Sequence, residues 1–196
     1  MSHFGINGRY LKQIANGEEP DTVCKYDALP PIKSIGNGTT AIVDIDNLEE
    51  CKKLIYHLSE QVSTRLRAKG LEGSCITLTI KDTSLSYISK AHTINYSTSN
   101  ADDISQECLK LLSEMWDFNK TNKIRAIRIK CSSLLSSIDP MQTLLFDTGK
   151  KDKLSRQDKS VDKVREKYGY NILKRGILMN TSHLINTETD DEFLDE

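Results

Sequence analysis

The sequence predicts an α+β domain of two layers, a four-stranded antiparallel sheet with two helices on one face, in the order β-α-β-β-α-β. Two helical stripes and two alternating strands carry that expectation. Leu48, Cys51, Leu54, Ile55, Leu58, Val62 and Leu66 recur every three or four residues, as do Ile104, Cys108, Leu111, Leu112 and Met115, so each segment has one apolar side to bury. Ile76, Leu78 and Ile80 alternate with Thr77, Thr79 and Lys81, and Ile127, Ile129 and Cys131 oppose Ala126, Arg128 and Lys130. Both helices then bury their stripes on one apolar sheet face, which gathers Leu58, Val62, Ile76, Leu78, Ile80 and Leu111 into one core.

In chain order, Gly8 to Asn16 reads as a short helix, with Leu11, Ile14 and Ala15 apolar and Gly17 as its stop. Residues 18–31 carry Pro20, Pro30 and Pro31 with no sustained period, which marks a linker. The main domain, 32–137, opens with a strand from about Ser34 to Ile45. Asp46 is placed to cap the next helix, with Glu49 completing a capping box and Gly70 stopping the helix. The alternating strand at Ile76 meets a turn around Asp82 to Leu85, and a third strand takes about Tyr87 to Tyr96. Asn100 caps the second helix, which ends near Trp116. The fourth strand spans Lys123 to Ser132, and strict alternation puts Arg125 on its apolar side. After a segment at 138–148 comes a C-terminal extension, 149–185. Within it Gly149 to Ser155 reads as a charged loop, Gln157 to Tyr168 as a helix with Val161, Val164 and Tyr168 inward, and Ile172 to Met179 as an extended segment. Residues 186–196 read as an acidic, disordered tail.

At 196 residues the chain has room for one well-buried domain with extensions. It holds no apolar run of 18 residues and no charged-then-apolar N-terminal signal, so the expectation is a soluble, cytoplasmic protein with no membrane partner. Cys24, Cys51, Cys75, Cys108 and Cys131 are odd in number and widely spaced, as reduced core thiols would be. The net charge of −1 hides an asymmetry. The tail holds six acids and no base; without it, 27 basic residues face 22 acidic ones, a net of +5 concentrated between Lys120 and Arg175. Such an excess suits either a polyanion partner or an ordinary solvated surface. Asp44-Ile45-Asp46 has the letters of a metal-binding pair, but helix capping explains Asp46 and a strand end explains Asp44. His3, His57, His92 and His183 share no ligand spacing, and no Gly-rich nucleotide loop occurs. No catalytic residue, metal or cofactor is expected in this chain.

Four blocks, Lys33-Ser34-Ile35-Gly36-Asn37-Gly38-Thr39-Thr40, Ile76 to Lys81, Ser89-Lys90-Ala91-His92-Thr93 and Ile124 to Lys130, stand in an order and spacing that resemble the little-finger domain of Y-family (DinB/UmuC-like) translesion DNA polymerases. The likeness runs from about Phe4 to Phe146. Residues 1–17 resemble the end of the polymerase thumb and are expected to be a thumb remnant. The resemblance implies a non-catalytic part of a DNA-directed DNA polymerase, because the palm carboxylates that hold two Mg²⁺ ions in such enzymes are missing from the sequence. It further implies a grip on duplex primer-template DNA through phosphates, without reading of sequence.

By that resemblance, Lys33, Ser34, Gly36, Asn37 and Gly38 approach the template backbone, the glycines permitting close contact. Ser89, Lys90 and His92 take phosphate from the third strand, and Arg125, Arg128 and Lys130 from the fourth, Arg125 only from the strand's end. Lys90, His92, Arg128 and Lys130 are thus expected together on the polar sheet face. Arg128 stands where many relatives have Gly, and His92 where Arg is common. Gln142-Thr143-Leu144-Leu145-Phe146 resembles the Gln-x-x-Leu-Phe peptide by which bacterial polymerases bind the sliding clamp, so Gln142, Leu144, Leu145 and Phe146 are the expected clamp contacts. Two other readings stay open. One is an RNA-recognition module of the same strand order, although Ala126, Arg128 and Lys130 offer no aromatic for stacking. The other is a protein-binding adaptor that leaves the sheet face idle.

Overall fold

The computed structural model describes residues 4–18, 31–119, 122–137, 150–179, 181, 183 and 184. The chain divides into two units, Met1–Pro31 and Ile32–Glu196. The first contains helix α1, Gly5–Ala15, three residues earlier at its start than the sequence suggests, with Gly17 past its end at φ +72°. The expected clamp peptide Gln142 to Phe146, residues 19–30 of the expected linker 18–31, and the acidic tail lie outside the described residues.

In the second unit, β1 (Ser34–Ile45), α2 (Leu48–Ala68), β2 (Leu71–Asp82), β3 (Tyr87–Thr98), α3 (Ala101–Met115) and β4 (Ile124–Ser136) follow in the predicted order. The sheet is antiparallel throughout, with strand order β1-β4-β2-β3. Leu54, Leu58, Val62 and Leu66 of α2 and Ile104, Cys108 and Leu111 of α3 share one core with Ile76, Leu78, Ile80, Ile127 and Ile129. Both helices therefore cover the same sheet face, since a single apolar layer is all the sheet offers them.

The caps explain where the helices begin and end. Asn47, not Asp46, caps α2: its side chain accepts from the Glu50 N–H at 2.9 Å, so the expected capping box at Asp46 and Glu49 is not formed. Asp46 is instead held by Lys123 at 2.9 Å. Gly70, at φ +61°, ends α2 as predicted. Asn100 caps α3, accepting from the N–H groups of Asp102 and Asp103.

The C-terminal extension forms a third layer. Helix α4 runs Lys150–Tyr168, so the stretch read as a charged loop is largely helical. Its inward face also differs from expectation. Tyr168 is 61% exposed and Val164 lies at the surface, while Arg165 is buried against Glu60 of α2 at 2.9 Å. Apolar periodicity on α4 was weak, and the helix docks by charge instead. Arg67 of α2 donates to both carboxylate oxygens of Asp162, at 2.6 and 2.7 Å, and Asn100 donates to Asp158 at 2.8 Å. Arg175 holds the second oxygen of Glu60 at 2.5 Å and also pairs with Asp102. The segment Ile172 to Met179, predicted extended, follows directly on a 3₁₀ turn, Tyr170–Ile172, and contains a second, Gly176–Leu178, with Leu178 buried. Leu184 then enters the core and accepts a hydrogen bond from the Ile42 N–H of β1.

Candidate nucleic-acid interface

Cross-strand register decides which side chains share the sheet face left open by the helices, because residues directly opposite one another on neighbouring strands point the same way. Arg128 lies between Gly38 of β1 and Thr79 of β2, and Lys130 between Gly36 and Thr77. Their neighbours in sequence, Ile127, Ile129 and Cys131, are core residues, so Arg128 and Lys130 point away from the helices. Lys81, Tyr87, Ser89, Ala91 and Thr93 join them on this face, with the Lys81 Nζ 5.0 Å from the Tyr87 ring centroid and Ser89 bonded to Thr79 at 2.9 Å. Across the paired stretches 34–40, 75–81, 87–93 and 126–132, the open face carries Arg128, Lys130 and Lys81 and no carboxylate.

The glycines shape this face. A Cβ built on Gly36 would stand 2.8 Å from the Ile129 carbonyl oxygen, and one on Gly38 would stand 2.9 Å from the Arg128 Cβ. Only glycine lets β1 lie this close to β4. The result is a shallow strip of bare backbone beside two cations, with Ser34 exposed at one end and Lys33 exposed just before the strand.

Three of the expected contacts are placed elsewhere. Lys90 and His92 pair in register with Leu78 and Ile76, two core residues, and so lie on the helix side of the edge strand. There Lys90 reaches Glu114 of α3 at 2.7 Å, and His92 Nδ1 meets the nearly buried Glu107 at 2.6 Å. The hydrogen bond from Lys90 holds the Glu114 carboxyl below its ordinary range. Asn37 likewise turns inward, donating to the Gln61 side chain of α2 at 2.5 Å. The parity was readable: Ile88, Lys90, His92 and Ile94 share one side of β3, and Ile94 packs against the core.

Arg125 departs from prediction in the opposite direction. Ala126 pairs with Lys81 and Ile124 with Asp82, so β4 inserts one extra residue at Arg125. This bulge breaks the alternation, buries both Ile124 and Ile127, and turns Arg125 outward to within 3.6 Å of Asp44. Thr77, Thr79 and Lys81 were read on the polar side of their strand, but neither they nor Tyr87 was among the expected contacts. Their alternation was legible, but their place beside Arg128 and Lys130 needs the register of β2 on β4.

The buried thiols are not poised for chemistry. Burial pushes Cys51 up to about 12 and Cys131 up to about 11, and raises Cys108 as well. Among the described residues, no group of three His, Cys, Asp or Glu side chains is placed to hold a metal ion, and no helix is long and apolar enough to cross a membrane.

Residues 32–145 match the impB/mucB/samB family C-terminal domain. Similar proteins include the DNA polymerase IV of Acetivibrio thermocellus, 38% identical over 180 residues, and that of Moorella thermoacetica, 25% identical over 177 residues. The alignments cover 91% and 90% of this chain but only 45% and 43% of those proteins, so the chain spans somewhat under half the length of these relatives. Among solved structures, a complex of the beta-clamp processivity factor and the little finger domain of PolIV aligns at 19% identity and a TM-score of 0.44, covering 58% of this chain and 98% of that one.

Proposed function

Since the chain belongs to the impB/mucB/samB family, with residues 32–145 as its C-terminal domain, the little finger of the Y-family polymerases, we propose that its open sheet face grips duplex primer-template DNA by the phosphates. The single observation that carries this reading is the face itself: Arg128, Lys130 and Lys81 project from the open side of the sheet with no acid among them. A duplex presents one negative charge per roughly 1.7 Å of axis, and cations without carboxylate partners are free to exchange its counterions. Glycine backbone and Thr and Ser hydroxyls around them hydrogen-bond phosphate without discriminating between bases. The role in this reading is non-catalytic: the chain positions DNA, and the chemistry of synthesis falls to a polymerase's metal-binding carboxylates. Single-stranded RNA fits less well. RNA-recognition sheets stack bases on aromatics of their exposed face, whereas the central strands β4 and β2 present Ala126, Arg128, Lys130, Thr77, Thr79 and Lys81.

Fluorescence anisotropy with labelled duplex over a salt series tests the grip. Replacing Arg128 and Lys130 by Ala should lower the slope of log K against log salt by about 1.8, at roughly 0.9 per phosphate. Replacing Lys90 and His92 by Ala should leave the slope unchanged, since both already serve α3. Binding that is insensitive to salt, or indifferent to Arg128 and Lys130, overturns the reading and leaves a protein-binding adaptor in its place.

The second half of the proposal is that Gln142 to Phe146 tethers the chain to the bacterial sliding clamp, supported by its match to Gln-x-x-Leu-Phe. The amide anchors to polar groups of a pocket and the leucines and Phe146 fill an apolar cleft. Replacing Leu145 and Phe146 by Ala should abolish clamp binding and shift stability by no more than about 0.5 kcal/mol. A variant that unfolds, or that binds the clamp normally, assigns these residues to the core.

A further inference from the structure

Helix α4 segregates its charges between two sides. Asp158, Val161, Asp162 and Arg165 fall on one side of the helix, and that side docks on α2 and α3 through Arg67, Asn100 and Glu60. Arg156, Lys159, Lys163 and Lys167 follow one another at spacings of three, four and four residues, which places them in a stripe on the opposite side. All four are exposed. No ion pair or hydrogen bond of their side chains joins any of the four to another described residue, and the Lys167 Nζ stands 4.9 Å from the ring centroid of Tyr168. Glu166 lies at the flank of the stripe and no described acid lies within it.

This is not how a merely solvated helix face is arranged. Such a face gains from acids and bases interleaved at i and i+4, whereas three successive neighbours here are like-charged. Asp158 and Asp162 point inward and are bound to Asn100 and Arg67, and Glu166 lies exposed at the flank of the stripe. The helix therefore keeps an outward row of repelling cations, an arrangement that favours a polyanion.

The location is as informative as the charge. On α2, Glu60 and Arg67 lie on the side away from the core stripe, so α4 sits outside the helix layer, across the domain from the open sheet face. With sheet-to-helix and helix-to-helix separations each near 10 Å, roughly 20 Å of protein divides the two basic surfaces. One straight stretch of duplex cannot touch both.

We propose that the outer face of α4 is a second DNA-binding surface, taking the sugar-phosphate backbone of a separate DNA segment while the sheet face holds the first. From Arg156 to Lys167 the stripe is about 16 Å long at 1.5 Å per residue. A duplex laid along it presents on the order of ten phosphate charges. The stripe contributes charge and no planar aromatic or amide row, so it binds backbone without reading bases. The inference rests on the DNA-binding reading of the sheet face, and the experiment separates the two.

The chain of 196 residues is titrated with a duplex of about 12 base pairs, a little over one helical turn, and stoichiometry and salt dependence are read together. Two duplexes per chain are expected. Lys159→Ala with Lys163→Ala should leave one, and the salt slope of the lost site should be about −3.6 for four phosphates. Arg128→Ala with Lys130→Ala should leave the other. Lys53→Ala with Lys69→Ala removes the same charge elsewhere and should leave both. A stoichiometry of one that the α4 variant does not change overturns the inference while the sheet-face reading stands. Equal losses from the α4 variant and the Lys53 and Lys69 control also overturn it, reducing the stripe to bulk charge. No binding by the intact chain overturns both.

Discussion

The inner face of α4 and the open face of the sheet both carry arginines, and they use them in opposite ways. At the seam of α4 and the segment after it with α2 and α3, Arg67, Arg165 and Arg175 each close on a carboxylate, and Glu60 accepts from two guanidinium groups at 2.9 and 2.5 Å. On the sheet, Arg128 and Lys130 stand among Thr, Ser and Gly, with no acid on their face across the paired stretches 34–40, 75–81, 87–93 and 126–132. The first set is part of the fold and the second is available to a ligand. Charge in the sequence is the same in both places; the partner makes the difference.

The sharpest way to break this comparison is to remove Glu60. Both it and Arg165 are nearly buried, so Glu60→Ala leaves a guanidinium without its counter-charge in a place water scarcely reaches. Such a loss costs roughly 3–5 kcal/mol. Urea unfolding should show that decrease, while duplex affinity, measured where the variant is still folded, stays at the wild-type value. A stable variant with weakened DNA binding would invert the assignment of the two regions.

The sheet face should answer to backbone crowding before it answers to charge. Gly36→Ala puts a methyl 2.8 Å from the Ile129 carbonyl oxygen, and overpacking of this kind costs about 1–3 kcal/mol. Gly176→Ala, where nothing lies within 4 Å, provides the contrast and should stay within about 0.5 kcal/mol. Equal effects at the two sites would mean that β1 and β4 have room to separate.

Much of this was legible beforehand, and the exceptions have physical causes. The sheet, both packed helices and the shared core followed from apolar spacing, because burial on one face writes a periodic signal into the sequence. The docking of α4 writes no such signal: Arg165 and Glu60 look like surface charges until they are seen 2.9 Å apart. Lys90, His92 and Asn37 were expected at the DNA because their positions resemble those of phosphate-contacting residues in the little-finger family, and a resemblance of position does not fix which side of a strand faces the helices. An edge strand whose inner side stays partly exposed also accepts polar residues there, where α3 supplies Glu107 and Glu114. Arg125 was misplaced for a simpler reason, since one inserted residue reverses the parity of everything beyond it.

Asn37 gives a smaller test of the same division. Asn37→Ala removes its hydrogen bond to Gln61 and should cost about 1 kcal/mol of stability. Its salt slope for duplex binding should equal that of the wild type. A variant of unchanged stability with a reduced slope would return Asn37 to the DNA side.

The smallest expected effect lies in the pH dependence at Asp158. Burial raises its carboxyl above the ordinary value of 3.8, more than the nearby Arg67 and the Asn100 hydrogen bond lower it; Asp162 adds to the rise and Arg175 opposes it. A carboxyl that holds its proton more tightly in the folded chain adds stability fully present below the unfolded value and lost as pH rises through the folded one. Asp158→Asn keeps the shape and cannot titrate. Relative to the wild type, the variant should therefore gain stability as pH is raised from below 3.8 into the neutral range, and then hold that difference. Thermal unfolding of both proteins across the same buffers reads the sign. A variant that loses ground as pH rises would show that the Arg67 pairing outweighs burial, and that even the half-buried carboxylates under α4 contribute as ion pairs.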